Sequence, residues 1–190
     1  MARGRKESHV LASVTLFLIL TGLTGLVFPA VLLGVAAGLF PEAAHGSLVQ
    51  RHGVVVGSRL VGQTFDKPGY LWGRPSATAP TPYNAASSGG SNLGPLNPDL
   101  MKVPRERLAA LGGSETGGAV PIDLLTASAS GLDPDVSLEG ALYQVPRVAK
   151  ARGVDPRSVE EIVRAHAEGG TFSGARVNVL AVNLALDEMK

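Results

Sequence analysis

Between Val10 and Phe40 the chain carries no charged side chain. About 20 predominantly apolar residues suffice to cross a bilayer, so the run predicts a transmembrane helix over 10–40 with its core at about 10–32. From Val10 to Leu32, fourteen residues are Leu, Ile, Val or Phe. At about −0.3 to −0.6 kcal/mol each near a helix centre, they outweigh the threonines and the serine among them. A cleaved signal peptide is the rival reading, because a basic start and the small pair Ala43-Ala44 flank the run. Its apolar region would span only about 7 to 15 residues, so the length here predicts an uncleaved anchor.

Arg3, Arg5 and Lys6 stand directly before the run, whereas Glu42, His45 and Arg51 follow it. The positive-inside bias then predicts a cytoplasmic N-terminus over 1–9 and an extracytoplasmic domain over 41–190. Pro29, toward the far end, predicts a kink that neighbouring protein tolerates better than lipid does. Thr21 with Gly25, and Gly34 with Gly38, are small residues four apart, the spacing that lets another helix approach closely.

At 190 residues the chain has room for one ordinary domain besides the span. Cysteine is absent, which excludes disulfides, thiolate metal sites and a Cys nucleophile. The net charge is +1 and no Lys/Arg cluster interleaved with aromatics follows residue 10, so nucleic-acid binding is not expected.

Along the outer domain, Leu48–Arg51 and Val54–Val56, separated by His52-Gly53, predict a β-hairpin. Residues 62–98 are dense in Gly, Pro, Ser and Asn and have no period. Phe65, Tyr70, Trp72 and Tyr83 are spread through them, and disordered tracts are poor in aromatics, so a long ordered loop is predicted. Asn97-Pro98 starts a short helix that Pro104 interrupts and that resumes over 105–111 before Gly112-Gly113. Val120–Thr126 reads as a strand. Ser137 caps a helix over 138–152 with Pro146 within it and Gly153 as its stop. Asp155-Pro156 opens an amphipathic helix with Val159, Ile162, Val163 and His166 on one face, ended by Gly169-Gly170. Residues 176–187 fit a strand first and a helix second. The class is mixed, α/β or α+β.

No GxxxxGK[ST] phosphate loop, GxSxG elbow or HExxH zinc motif occurs, and the four histidines are scattered singly. Asp133 and Asp135 are spaced like the start of a calcium loop whose later ligands are missing. Ser88-Gly89-Gly90-Ser91 and Ser128-Ala129-Ser130-Gly131 are the weak candidates for anion-accepting turns. The residues alone thus describe a single-span, non-catalytic membrane protein whose outer loop suits a partner.

The strings GQTFDKPGYLWGRPSATAPTPYN, SSGGSNLGPLNP, PIDLLTASASGLDP, YQVPRVAKARG and RVNVLAVNLALD resemble the successive blocks of the C subunit of the Kdp potassium-transporting P-type ATPase. With the span they cover nearly the whole chain. Asp135 and Ala181 depart from the pattern, where a His and an acidic residue are usual. The resemblance implies a single-pass subunit of the bacterial inner membrane, beside a channel-like A subunit that selects potassium, a P-type B subunit that hydrolyses ATP, and a small F subunit. ATP and K+ are then handled by the complex, with no cofactor or metal assigned to this chain.

It further implies an accessory role in assembly and stability, with the outer domain docked near the ion entrance and the loop residues Tyr70, Trp72, Arg74, Tyr83, Asn84 and Asn92 supplying contacts. The family is alternatively described as a catalytic chaperone that raises the ATP affinity of the B subunit, a role for which a ternary complex with ATP is one route. With the domain outside the cell, such an effect would reach the nucleotide only indirectly, as a coupling through the membrane helices.

Overall fold

A computed structural model describes residues 2–112, 119–170 and 174–189, with side chains from His9 onward. The chain forms two compact units, 1–47 and 48–190.

In the first unit, α1 (Ala2–Gly22), a π-helical turn (Leu23–Val27) and α2 (Phe28–Leu39) follow one another without a break. His9–Leu39 is long and apolar enough to cross a membrane, at 31 residues. At 1.5 Å per residue that is about 45 Å, against about 30 Å of hydrocarbon. The irregularity that Pro29 predicts is the π turn directly before it. Proline has no N–H to donate and its ring crowds the carbonyl four residues back, and a wider turn relieves both. Thr24 Oγ1 donates to Leu20 O at 2.7 Å, as hydroxyls in membrane helices do. A Cβ added at Gly25, Gly34 or Gly38 would meet nothing within 4 Å. A short α3 (Pro41–Ala44) closes the unit.

The second unit opens with the hairpin β1 (Leu48–Arg51) and β2 (Val54–Ser58), paired antiparallel with an irregularity at Val49/Gln50. His52 and Gly53 both have positive φ, 51° and 77°, which is the turn that matches the twist of two strands. Then come the 62–98 stretch, a 3-10 turn (Pro98–Met101) and α4 (Lys102–Ala110). Asn97 Oδ1 accepts from Asp99 N at 2.9 Å, as the cap predicts. Pro104 does not interrupt the helix: it falls in the first turn of α4, where its missing N–H has no partner to lose. Gly112 has φ of 73°; Gly113, the other half of the expected stop, lies outside the described residues.

Val120–Thr126 is not a strand. Ile122–Leu124 is a 3-10 turn and Thr126 N donates to Ile122 O at 3.0 Å. Pro121 has no N–H for a ladder, and Asp123 is occupied in accepting Ser137 N, so the apolar residues here mark a turn that buries Leu124 and leaves Ile122 exposed. β3 (Asp135–Ser137) precedes α5 (Leu138–Tyr143), and Ser137 Oγ accepts from Gly140 N at 2.9 Å. α6 (Val145–Arg152) follows with Pro146 in its first turn and Gly153 left-handed after it, at φ 69°. α7 (Pro156–Ala165), capped by Asp155, ends sooner than Gly169-Gly170 predicts. His166 Nδ1 donates to Ile162 O at 2.8 Å and closes the last turn, and β4 (Ala167–Gly169) starts directly. β5 (Ala175–Asn178) runs into α8 (Val179–Glu188), the strand-then-helix that the sequence reads there.

The sheet order is β3-β5-β4, all antiparallel. Alternation sends Val136 and Val177 inward, where they join Val148, Val159, Val163, Val182 and Leu186 from the helices. Asp135, Arg176, Asn178 and Glu168 take the opposite face. The architecture is mixed α+β, with one apolar N-terminal helix.

Candidate functional site

The stretch 62–98 holds almost no regular structure, yet it is tied down along much of its length by side chains of α6, α8 and the turn at 126–133. Two buried amides do most of this. Asn183 of α8 accepts Leu71 N at 2.8 Å and donates to Leu71 O at 3.0 Å. Gln144, between α5 and α6, accepts Trp72 N at 2.8 Å and donates to Trp72 O at 3.0 Å. Both amides are only 1% exposed. Consecutive residues, whose backbone groups point to opposite sides, are thus bonded as if between two neighbouring strands.

Helices α4 and α6 add three arginines. Arg147 donates to Pro68 O and Tyr70 O, Arg152 donates to Gly69 O and Leu186 O and pairs with Asp187 at 2.8 Å, and Arg107 of α4 donates to Gly73 O at 2.6 Å. Arg107 and Arg147 both stack on the Trp72 ring, at 4.9 and 4.2 Å, and Arg152 on Tyr70, at 4.9 Å. Burial, and next the nearby Arg107, lower the Arg147 pKa to about 10; burial also lowers that of Arg107.

The residues singled out from the sequence therefore make contacts within the chain. Tyr70 donates to Asp187 Oδ2, and the Trp72 indole to Lys67 O at 3.0 Å. Arg74 pairs with Asp133 at 3.2 Å and donates to Ala127 O. Tyr83 donates to Arg74 O at 2.6 Å, and burial raises its pKa. Asn84 caps the turn Ala85–Ser87 through Ala86 N. Asn92 is exposed with φ of 49° and sits apart from the others. Gln144, Asn183, Arg107 and Arg147 carry as much of the arrangement. The trace they leave in the sequence is a polar residue on an otherwise apolar helix face.

The two Gly/Ser strings face each other. Gly89 N and Ser88 Oγ donate to Ser130 O at 2.9 and 3.1 Å, and Gly131 N donates to Ser128 Oγ. A Cβ at Gly90 would come within 3.1 Å of Ala129 O, so glycine lets the strings touch. Ser91 is exposed beside them. These donors are spent inside the protein. Among the described residues no His/Cys/Asp/Glu group could hold a metal ion.

The outer face of the sheet bears a cleft of about 470 Å³ lined by Arg59, Asp135, His166, Glu168, Arg176 and Asn178. Burial raises the Asp135 pKa, while the hydrogen bond from Asn178 acts the other way. A carboxyl raised in the fold binds its proton more tightly there than in the unfolded chain, so it adds stability as pH falls through the raised value and none at neutral pH. Asp135→Asn should therefore gain most over the parent at neutral pH. Chemical denaturation across pH should show that gain shrinking below the raised value; a constant difference would mean that Asp135 titrates normally.

Comparison with known proteins covers both units. The model of the family described as K+-transporting ATPase, c chain, matches residues 10–188. A "Potassium-transporting ATPase KdpC subunit" of Burkholderia orbicola (strain MC0-3) is 55% identical over 179 residues, 92% of this chain and 93% of the relative. Proteins of the same description from Variovorax paradoxus (strain S110) and Dechloromonas aromatica (strain RCB) are 53% and 52% identical, over 92% and 93% of this chain and 93% and 95% of their own. With the apolar helix, the clamped loop and the sheet all inside the matched range, the chain belongs to the K+-transporting ATPase c chain family.

Proposed function

We propose that the chain is the non-catalytic accessory subunit of an ATP-driven, high-affinity potassium uptake complex. Its helix anchors it in the bacterial inner membrane with the N-terminus in the cytoplasm. Its domain, outside, supports assembly and docks on the channel-like A subunit near the ion entrance. The B subunit hydrolyses ATP and the small F subunit completes the set. The observation that carries this reading is the family match across the span and the domain together.

The geometry supports a binding role in two ways. The Gly/Ser turns, candidates for cradling phosphate, already satisfy one another. The long loop is held to the domain at Leu71 and Trp72, while Asn92 and Leu96 stand exposed farther along, with Leu96 96% accessible. In this reading Tyr70, Trp72, Arg74, Tyr83 and Asn84 fix the shape of the loop, and Asn92 belongs to the edge that meets the partner.

The test is sidedness. Arg157→Cys places an exposed thiol in the first turn of α7, in a chain with no other. Labelling of intact cells by a membrane-impermeant thiol reagent is expected. Protection until lysis would put the domain in the cytoplasm and favour the alternative, a catalytic chaperone that touches ATP with the B subunit.

A further inference from the structure

Arg107 and Arg147 place two positive charges against one indole, and among the described residues every hydrogen-bond acceptor they meet is neutral. These are the carbonyls of Gly73, Leu124, Pro68 and Tyr70 and the Gln144 amide. Among the described residues the ion pairs involve Arg51, Arg74, Arg152, Arg164 and Arg176 instead. A half-buried cation without a counter-charge keeps the cost of leaving water and receives no Coulombic return.

Arg107 also forms a wall of an open pocket of about 150 Å³, between the loop and α4, whose other polar side chains are Arg74, Thr64, Ser76 and Tyr83. Among the described residues no carboxylate lines it. The volume is several times the roughly 30 Å³ of one water, room for a single acidic group. Because Asp133 already neutralises Arg74, the pocket has one cation to spare, which suits a singly charged carboxylate better than a doubly charged phosphate.

We propose that this pocket receives the carboxylate of an Asp or Glu side chain from a neighbouring subunit, with Arg107 as its principal partner. The proposal rests on the reading of the chain as a subunit of a transport complex. The guanidinium offers Nη1 while Nη2 and Nε hold the loop and the turn at Leu124, so the acid docks on a donor already fixed in place. It neutralises the charge beside Trp72 and ties loop order to assembly.

Arg107→Lys keeps the charge and adds a primary amine that a water-soluble carbodiimide can couple to a carboxylate in contact. The carboxylate oxygen adds to the protonated carbodiimide to give an O-acylisourea, and the amine displaces the urea to leave an amide; the carboxylate and the ammonium together lose one water, which the reagent carries off as its urea. In the purified complex, digestion and mass spectrometry are expected to find residue 107 joined to an Asp or Glu of another subunit. Arg107→Glu should release the other subunits at a salt concentration at which the parent holds them, with retention down roughly tenfold or more.

If Arg107→Glu instead destabilises the chain itself, seen by its melting in detergent, the crosslink still decides. An adduct to Glu115 of this chain, which lies outside the described residues, would overturn the proposal. So would no adduct at 107 while other lysines react. Absence of the adduct together with a melting midpoint that rises with inorganic phosphate in the parent but not in Arg107→Gln would assign the pocket to a free anion. If the parent chain carries no other subunits through purification, complex membership itself fails, a result distinct from all of these.

Discussion

Asn183→Leu is expected to lower the melting midpoint of the full chain by on the order of 10 °C. The substitution puts an apolar side chain of similar size on α8 and removes both the acceptor of Leu71 N and the donor to Leu71 O. Both groups are buried, and a buried backbone group left without a partner costs about 1–3 kcal/mol. About 3 kcal/mol in all, at a few degrees per kcal/mol for a domain of this size, gives the figure. Asn183→Asp separates the two bonds. It keeps the acceptor and turns a charged oxygen toward a carbonyl, unless the carboxyl holds a proton and donates. Its pKa in the fold should therefore be raised, so stability should be recovered as pH falls and lost as pH rises through that value. Circular dichroism melts of the two variants at several pH values check both statements; unchanged midpoints would mean that the loop is held elsewhere.

Trp72→Ala should be nearly as costly, about 3 kcal/mol, with its effect concentrated in the loop. The ring packs on the core, donates to Lys67 O and receives two guanidinium faces, each worth about 0.5–2 kcal/mol. Without it Arg107 and Arg147 repel one another across an empty space. Trp72→Phe keeps an aromatic face and loses only the N–H, so it should recover most of the stability. Limited proteolysis reads out the location: cleavage within 62–98 should accelerate in the Ala variant before the domain as a whole unfolds. Equal resistance of parent and variant would remove the indole from any role in ordering the loop.

Local signals in the sequence mark most of the helix starts and the hairpin turn, because capping and positive φ are decided within a few residues. His52-Gly53, Asn97-Pro98, Ser137 and Asp155-Pro156 each do in the structure what their chemistry predicts. Of the sheet at 135–178 only β5 was legible. β3 and β4 have three residues each, too short for alternation to show, and they pair through a strand some forty residues from β3. At Val120–Thr126, apolar content without an N–H at Pro121 misled in the other direction.

The candidate site was half visible. The aromatics of 62–98 announce order, but an aromatic in a loop does not say which groups hold it. Gln144 and Asn183 read as ordinary helix residues because the partner of each lies 72 or 112 residues away. Arg107 and Arg147 likewise look like solvated helix charges until the fold sets both on Trp72.

The π turn at Leu23–Val27 changes the rotational phase of everything after it. In an unbroken α-helix, the thirteen steps of about 100° from Thr21 to Gly34 and from Gly25 to Gly38 would put the two pairs about 140° apart. One residue accommodated by the wide turn sets the second pair back by about 100°, leaving the two about 120° apart on the other side. The bulge before Pro29 thus turns the second pair about a quarter revolution around the span while leaving it on a different side from the first, so the two pairs of small residues offer separate faces for approach along nearly five turns of helix.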